Sequence, residues 1–240
     1  MSENFSASDV GYHINEDFAT NDAITDGLVG NRSWEIAAIS GGADTLTYET
    51  AQGETFLRMT GGGAGDGDGT ALSLAADKYS FSQYGGEIRF GVRIPNITGN
   101  TIASNNFRIG FADVVTSGEP VVGLWADCNG GVMEFDCASA NGDVNAAVSA
   151  SKLTSSTTLV IGTTYDMVIK WSGNNGNTDP GPASAQLLID GQLGAEFNGN
   201  VLLDGAETLE PVIIHWADTG GASTLELDVF YYEAFSFRAK

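Results

Sequence analysis

The stretch Gly86-Glu-Ile-Arg-Phe-Gly-Val-Arg-Ile94 decides the fold. Ile88, Phe90, Val92 and Ile94 fall on one side of an extended chain, and Glu87, Arg89 and Arg93 fall on the other, because successive side chains of a strand point to opposite faces. A helix would bring apolar residues together at spacings of three and four, and here the spacing is two throughout. The same period recurs at 106–113, with Phe107, Ile109 and Phe111 inward and Arg108 outward. It recurs again at 165–171, with Tyr165, Met167, Ile169 and Trp171 set against Asp166 and Lys170. Sheets with one oily and one charged face bury the first against a second layer and wet the other.

Working outward, shorter strand patterns lie at 34–39, 45–49, 55–59, 121–127, 132–137, 157–161, 185–190, 211–217 and 224–237. The 240 residues include 32 Gly and 5 Pro, and the glycines cluster with polar residues between apolar runs, as turns require. No segment carries a capped helical stripe; the best attempt, Ala71 to Tyr79, is short and alanine-rich. Parallel sheets need crossover helices, so the expectation is an all-β chain forming one sandwich of two antiparallel sheets. Residues 1–14 lack apolar alternation and read as an N-terminal extended arm that orders against a partner subunit, leaving 15–240 as the β-sandwich. In the last strand, Leu225, Leu227 and Val229 alternate, and then both faces turn aromatic. Burial on both sides near Phe230 to Tyr232, or a β-bulge, accounts for that change equally well.

Ten Lys+Arg against 31 Asp+Glu give a net charge of -21, which removes the cationic footprint that nucleic acids and anionic membranes demand. No apolar run approaches the ~20 residues of a membrane helix, and the first residues have neither a basic nor an apolar leader region, so a soluble chain without a secretion signal is expected. Cys128 and Cys137 flank Asn129-Gly130-Gly131, a hairpin turn that sets Cys128 opposite about Val132 or Met133, so two free thiols are expected. No phosphate loop or dinucleotide fingerprint is present, and no cofactor is expected.

Four features carry candidate chemistry. Asp66 and Asp68 alternate with glycine between Gly61 and Thr70, as in cation loops, but the set is a single incomplete copy and reads as a surface loop, with no metal assigned. Glu134 and Asp136 share one strand face, as paired carboxylates must, and as an incomplete motif they read as a solvated face. His13 falls in the arm, and His215, in Val212-Ile-Ile-His-Trp216, reads as a packed residue; no nucleophile elbow accompanies either, so no catalytic residue is assigned. Trp34, Trp125, Trp171 and Trp216 could stack on sugar rings. Apolar neighbours place the last three in the core, whereas Trp34, in Asn31-Arg-Ser-Trp-Glu35, is the one expected to be exposed.

A series of segments is specific when read in order. It runs from Glu16-Asp-Phe18, through the Trp34 strand, Phe56-Leu-Arg-Met59 and Gly86 to Ile94, to Phe107-Arg-Ile-Gly-Phe-Ala-Asp113 and Gly123-Leu-Trp-Ala-Asp127. It closes with Tyr165-Asp-Met-Val-Ile-Lys-Trp171, Ala185-Gln-Leu-Leu-Ile-Asp-Gly191 and the long aromatic strand. This order, over about residues 14 to 238, resembles the concanavalin A-like lectin/glucanase jelly rolls. Within that superfamily the chain is most similar to tailed-phage virion proteins, in which a Gly-Phe-x-Asp strand leads to a Glu-Pro or Asp-Pro loop, here Gly110-Phe-Ala-Asp113 and Glu119-Pro120. Glu134-x-Asp136 is similar to the metal strand of legume lectins, for which Asn141 and Asp143 could stand in, but no His follows. It is also similar to the Glu-x-Asp-x-x-Glu signature of laminarinase-type hydrolases, but Ala138 and Ser139 stand where the second Glu should be. The resemblance therefore implies a non-catalytic bacteriophage structural protein. It would be a capsid decoration or head-attached protein on the outer surface of the virion, a homo-oligomer meeting the major capsid protein or another virion protein. A carbohydrate-binding lectin-like module holding a surface glycan is the alternative, and a glycoside hydrolase using Glu134 and Asp136 is a third reading.

Overall fold

A computed structural model describes residues 10–18, 24, 28–39, 45–51, 53–61, 67–75, 85–113, 115, 117, 120, 122–138, 153–172, 184–198, 209–217 and 225–237. Among the described residues sixteen strands follow one another: β1 Val10–Asp17, β2 Leu28–Val29, β3 Trp34–Ile39, β4 Thr45–Ala51, β5 Glu54–Gly61, β6 Gly69–Ser73, β7 Gly86–Arg93 and β8 Asn105–Ala112. The second half holds β9 Gly123–Asn129, β10 Val132–Ala138, β11 Leu153–Thr158, β12 Thr164–Trp171, β13 Ser184–Ile189, β14 Gln192–Asn198, β15 Glu210–Ala217 and β16 Leu225–Phe237. They form two eight-stranded sheets: sheet A in the order β14-β13-β12-β7-β16-β5-β4, with β1 also on β16, and sheet B in the order β11-β10-β9-β8-β15-β6-β3-β2. The pairings are antiparallel, and the sheets pack face to face as a concanavalin A-like jelly-roll sandwich.

The deciding stretch is central. β7 lies between β12 and β16, with Ile88, Phe90 and Val92 buried against Phe107, Ile109 and Phe111 of β8 in a common core. Two-residue turns set the hairpin registers. Gly130 and Gly131, with φ of 56° and 86°, join β9 to β10 and bring Cys128 opposite Met133; Asp190 and Gly191, at 49° and 75°, join β13 to β14. Positive φ at both positions matches the twist of the flanking strands. The cysteines are free and buried, and desolvation pushes the Cys128 thiol up to about 12, which leaves it protonated and unreactive.

Two sequence expectations change here, the arm and the wetted face of sheet B, and two open readings are settled. Residues 10–14, assigned to the arm, are part of β1, which pairs along Tyr231 to Phe237 of β16 and buries Ile14 and Glu16 within this same chain. The phase change in β16 is a bulge: the register with β7 shifts between Val229 and Tyr231, so Phe230 is the extra residue. The alanine-rich attempt at a helix begins in β6. Lastly, sheet B does not wet its outer face uniformly, for every residue of β8 is buried. A second apolar cluster of Ile39, Ala71, Ala112, Val212 and Ile214 lies behind it.

The two layers are tied by Tyr232. Its ring meets Trp34 edge-on with centroids 5.1 Å apart, and its hydroxyl donates to the Gly110 carbonyl at 3.1 Å. Trp34 is therefore fully buried, which corrects the expectation that it is exposed. The polar residues before it form a turn whose N–H groups at Asn31 and Arg32 donate to the Glu16 carboxylate at 3.0 and 2.8 Å. Burial raises the pKa of Glu16, and these two bonds oppose the rise. Gly30 has φ of 75°, and a Cβ there would sit 2.7 Å from the Glu16 carboxyl carbon, so the turn needs glycine.

Candidate functional site on the outer face of sheet B

Leu124, Ala126 and Cys128 of β9 belong to the core, so Trp125 and Asp127 point to the outer face. Met133, Phe135 and Cys137 of β10 likewise leave Glu134 and Asp136 outward. Cross-strand register then sets Glu134 beside Asp127, Asp127 beside Arg108 of β8, and Arg108 beside Ile214 of β15. One row along, Asp136 lies beside Trp125, Trp125 beside Gly110, and Gly110 beside Val212.

Arg108 is the centre of this face. Its guanidinium carbon stands 5.5 Å from the Trp125 ring centroid and 5.2 Å from that of Trp216, and its Nη2 donates to Asp127 Oδ2 at 3.1 Å. Arg108 is 1% exposed, so the cation that the period set outward is enclosed. A desolvated guanidinium is costly alone, and the two indole faces with one carboxylate offset that cost. The bare Gly110 makes room: a Cβ there would fall 2.8 Å from the Trp125 Cβ and 2.3 Å from the Leu124 carbonyl. Trp125 is also buried, and its indole Nε1 makes no hydrogen bond among the described residues. Trp216 is half-buried and forms the open side of the arrangement. Asp136 is buried and Glu134 partly so, which corrects the expectation of a solvated strand face.

The face therefore combines flat aromatic surface with a fixed planar donor and three carboxylates. Arg108, Trp125, Asp127 and Asp136 are buried, so the groups of this face open to a ligand are the half-buried Trp216 indole, which can stack on an apolar ring face, and the partly buried Glu134 carboxylate, which can accept from a hydroxyl. The alternation in sequence located Glu134 and Asp136; Trp125 and Trp216 are packed as expected, one buried and one half-buried against the second apolar cluster, but on the outer side of sheet B, and Arg108 and Asp127 were not singled out. The Arg108–Asp127 register across one hairpin was the signal that could have found the last two. Trp171 does lie in the core, against Phe111 at 6.2 Å.

The other candidates lie apart. His13 is exposed and its Nε2 stands 3.6 Å from Glu233. His215 is wholly buried between the sheets, where Nε2 meets Asn105 Oδ1 at 3.2 Å, and desolvation lowers its pKa to about 3. Asp68 is buried, while Asp66, Asn141, Asp143 and Ser139 lie outside the described residues. Among the described residues, no three His, Cys, Asp or Glu side chains converge to hold a metal ion.

No family model matches the chain, and no curated protein matches it. Solved structures do. The endo-1,3-beta-glucanase of Streptomyces sioyaensis superposes with a TM-score of 0.62 at 12% identity, covering 99% of this chain and 100% of that one. A protein of unknown function from Shewanella oneidensis MR-1 gives 0.62 at 12%, covering 98% and 92%. The Emp47p carbohydrate recognition domain gives 0.57 at 11%, covering 97% and 99%. At these identities the likeness concerns architecture, and the chain has the lectin/glucanase-like jelly-roll fold.

Proposed function

We propose that the chain is a non-catalytic carbohydrate-binding module whose sugar site is the outer face of sheet B. One observation carries this reading: Arg108 held between Trp125 and Trp216 and fixed by Asp127. Pyranose recognition needs a flat apolar surface for one ring face and a fixed polar group for the hydroxyls; Trp216 supplies the first and Glu134 the second, both braced by the buried Arg108, Trp125 and Asp127 beneath them. Two of the similar structures are named for carbohydrate, as a recognition domain and as a glucanase, which makes glycans the first ligands to test. Catalysis is not part of the proposal. A retaining hydrolase needs an accessible acid and an accessible nucleophile flanking the bond, whereas Asp136 is buried and Ala138 and Ser139 stand where the second Glu of the signature would be.

The half-buried indole is the part a ligand would reach. Trp216→Ala should weaken binding about fivefold, the loss of one stacking contact of about 1 kcal/mol, with the circular dichroism unchanged. A glycan array to choose the ligand, followed by titration calorimetry on both proteins, checks this. Absence of any glycan binding by the native chain removes the reading, and turnover of a bound oligosaccharide replaces it with the hydrolase.

We further propose that this module sits on the outer surface of a tailed-phage particle, as a capsid decoration or head-attached protein in contact with the major capsid protein. Support comes from the strand order that resembles phage virion proteins. Support also comes from the charge of -21, which suits an exterior surface and disfavours contact with packaged DNA. Mass spectrometry of purified particles should find the chain at fixed stoichiometry, and its absence from them removes this placement while leaving the sugar site to stand.

A further inference from the structure

The outer face of sheet A differs from that of sheet B. Four of the chain's 10 cations, Arg58, Arg89, Arg93 and Lys170, lie on it, in a molecule whose net charge is -21. Asp228 holds Arg58 and Arg93, with Nε to carboxylate distances of 2.7 and 2.9 Å, and Glu87 holds Arg89 and Lys170. Glu226, Glu233 and Asp166 lie on the same face, so it remains acidic, but its cations bring its charge closer to zero than that of the chain as a whole. Two copies of so acidic a chain repel each other over most of their surfaces, and they approach at least cost where local charge is nearest zero.

Beside these pairs runs an aliphatic stripe. Leu193 of β14 lies opposite Leu188 of β13, Leu188 opposite Val168 of β12, and Val168 opposite Arg89 of β7. Leu193 is 56% exposed, and Leu188 and Val168 are half-buried. Arg89, with a side chain 47% exposed and held by Glu87, continues the row on β7, and the other accessible charges flank the stripe unevenly along the strand direction. Lys170, with a side chain 47% exposed, stands at one end, and the exposed Asp166 and Asp190 stand at the other. Asp166 is held in place by the Tyr231 hydroxyl, which reaches it at 3.1 Å across the bare Gly91.

An arrangement of apolar centre, positive end and negative end is complementary to itself. A two-fold axis lying in the interface plane, along the stripe and across the strands, sets Lys170 of one copy over Asp166 and Asp190 of the other, while Val168, Leu188 and Leu193 meet their counterparts. We infer that the outer face of sheet A is the interface of a homodimer, two copies packing face to face through this stripe. The inference does not depend on the sugar site, which lies on the opposite layer and would stay outward on both copies.

Sedimentation velocity over a dilution series tests it on the full chain. The expected species is twice 25.0 kDa, dissociating on dilution. Leu188→Glu with Leu193→Glu should weaken association at least tenfold while leaving the circular dichroism and the thermal midpoint in place. Lys170→Glu should weaken it as well, and adding Asp166→Lys to Lys170→Glu should restore it, because the swap exchanges the two ends. A native chain that stays monomeric up to millimolar concentration overturns the inference. So does a dimer indifferent to the leucine pair, or a charge swap that fails to restore association.

Discussion

Asp228→Ala should lower the stability of the fold by about 3–5 kcal/mol, the usual result of removing one partner from a buried ion cluster. Asp228 has no exposed surface. Arg58 donates to it at 2.7 and 3.2 Å and Arg93 at 2.9 and 2.8 Å, so four N–H groups converge on one carboxylate. Phe56 and Phe230 complete the enclosure, with the Arg93 guanidinium carbon 4.8 and 5.1 Å from their centroids. Without the carboxylate, Arg58 keeps Glu226 at 3.0 Å, but among the described residues Arg93 retains only aromatic faces and stands beside a like charge. Arg93 is therefore the origin of the loss. Asp228→Leu combined with Arg93→Leu should recover most of it, because the pair's Coulomb gain is spent against desolvation. Urea denaturation of the single and double variants measures both effects. A single-variant loss below about 1 kcal/mol would equal an exposed salt bridge and would mean that the cluster is solvated.

The same cluster explains how far the sequence could be read. The sandwich was legible because β7, β8 and β12 alternate strictly, and a period of two admits only strands. Alternation assigns a residue to a face, but it does not say which face is covered. Arg93 and Arg108 were rightly set outward, and both are nonetheless buried, through Phe56, Phe230 and Asp228 for one and Trp125, Trp216 and Asp127 for the other. Those partners come from other strands, so nothing local to either arginine announces them. β15 is apolar on both faces, and its phase therefore could not separate the inward Ile213 and His215 from the outward Val212, Ile214 and Trp216. In β1 the inward row runs Tyr12, Ile14, Glu16 and Phe18, and the carboxylate in that row hid a strand. Glu16 is inward because it serves the Asn31 and Arg32 amides, a pairing made only once the sandwich has closed.

Acid should destabilise this protein through His215 well before the bulk of its carboxylates protonate. Asn105 fixes the tautomer: its Nδ2 donates to Asn100 Oδ1 and to the Glu226 carbonyl, each at 2.9 Å, so its Oδ1 faces His215 and accepts from Nε2–H. Nδ1 then carries no proton and has no hydrogen-bond partner among the described residues. Protonating it would place a charge between the sheets, and desolvation accordingly lowers the pKa from 6.5 to about 3. In the unfolded chain the imidazole takes up its proton near the ordinary value. Between the two values the unfolded state therefore binds more protons than the folded one, and stability present above pH 6.5 is lost as pH falls, by about 1.4 kcal/mol per pH unit. Glu16 and Glu226 act in the opposite sense, since burial raises both and their protonation favours the folded state. His215→Gln keeps a donor for Asn105 and cannot titrate, so subtracting its pH profile isolates the histidine. Urea midpoints of both proteins between pH 7 and pH 4 should diverge as acid is added, with the native chain falling faster. Parallel profiles would mean that water or a carboxylate reaches Nδ1 and that the layer between the sheets is open at that point.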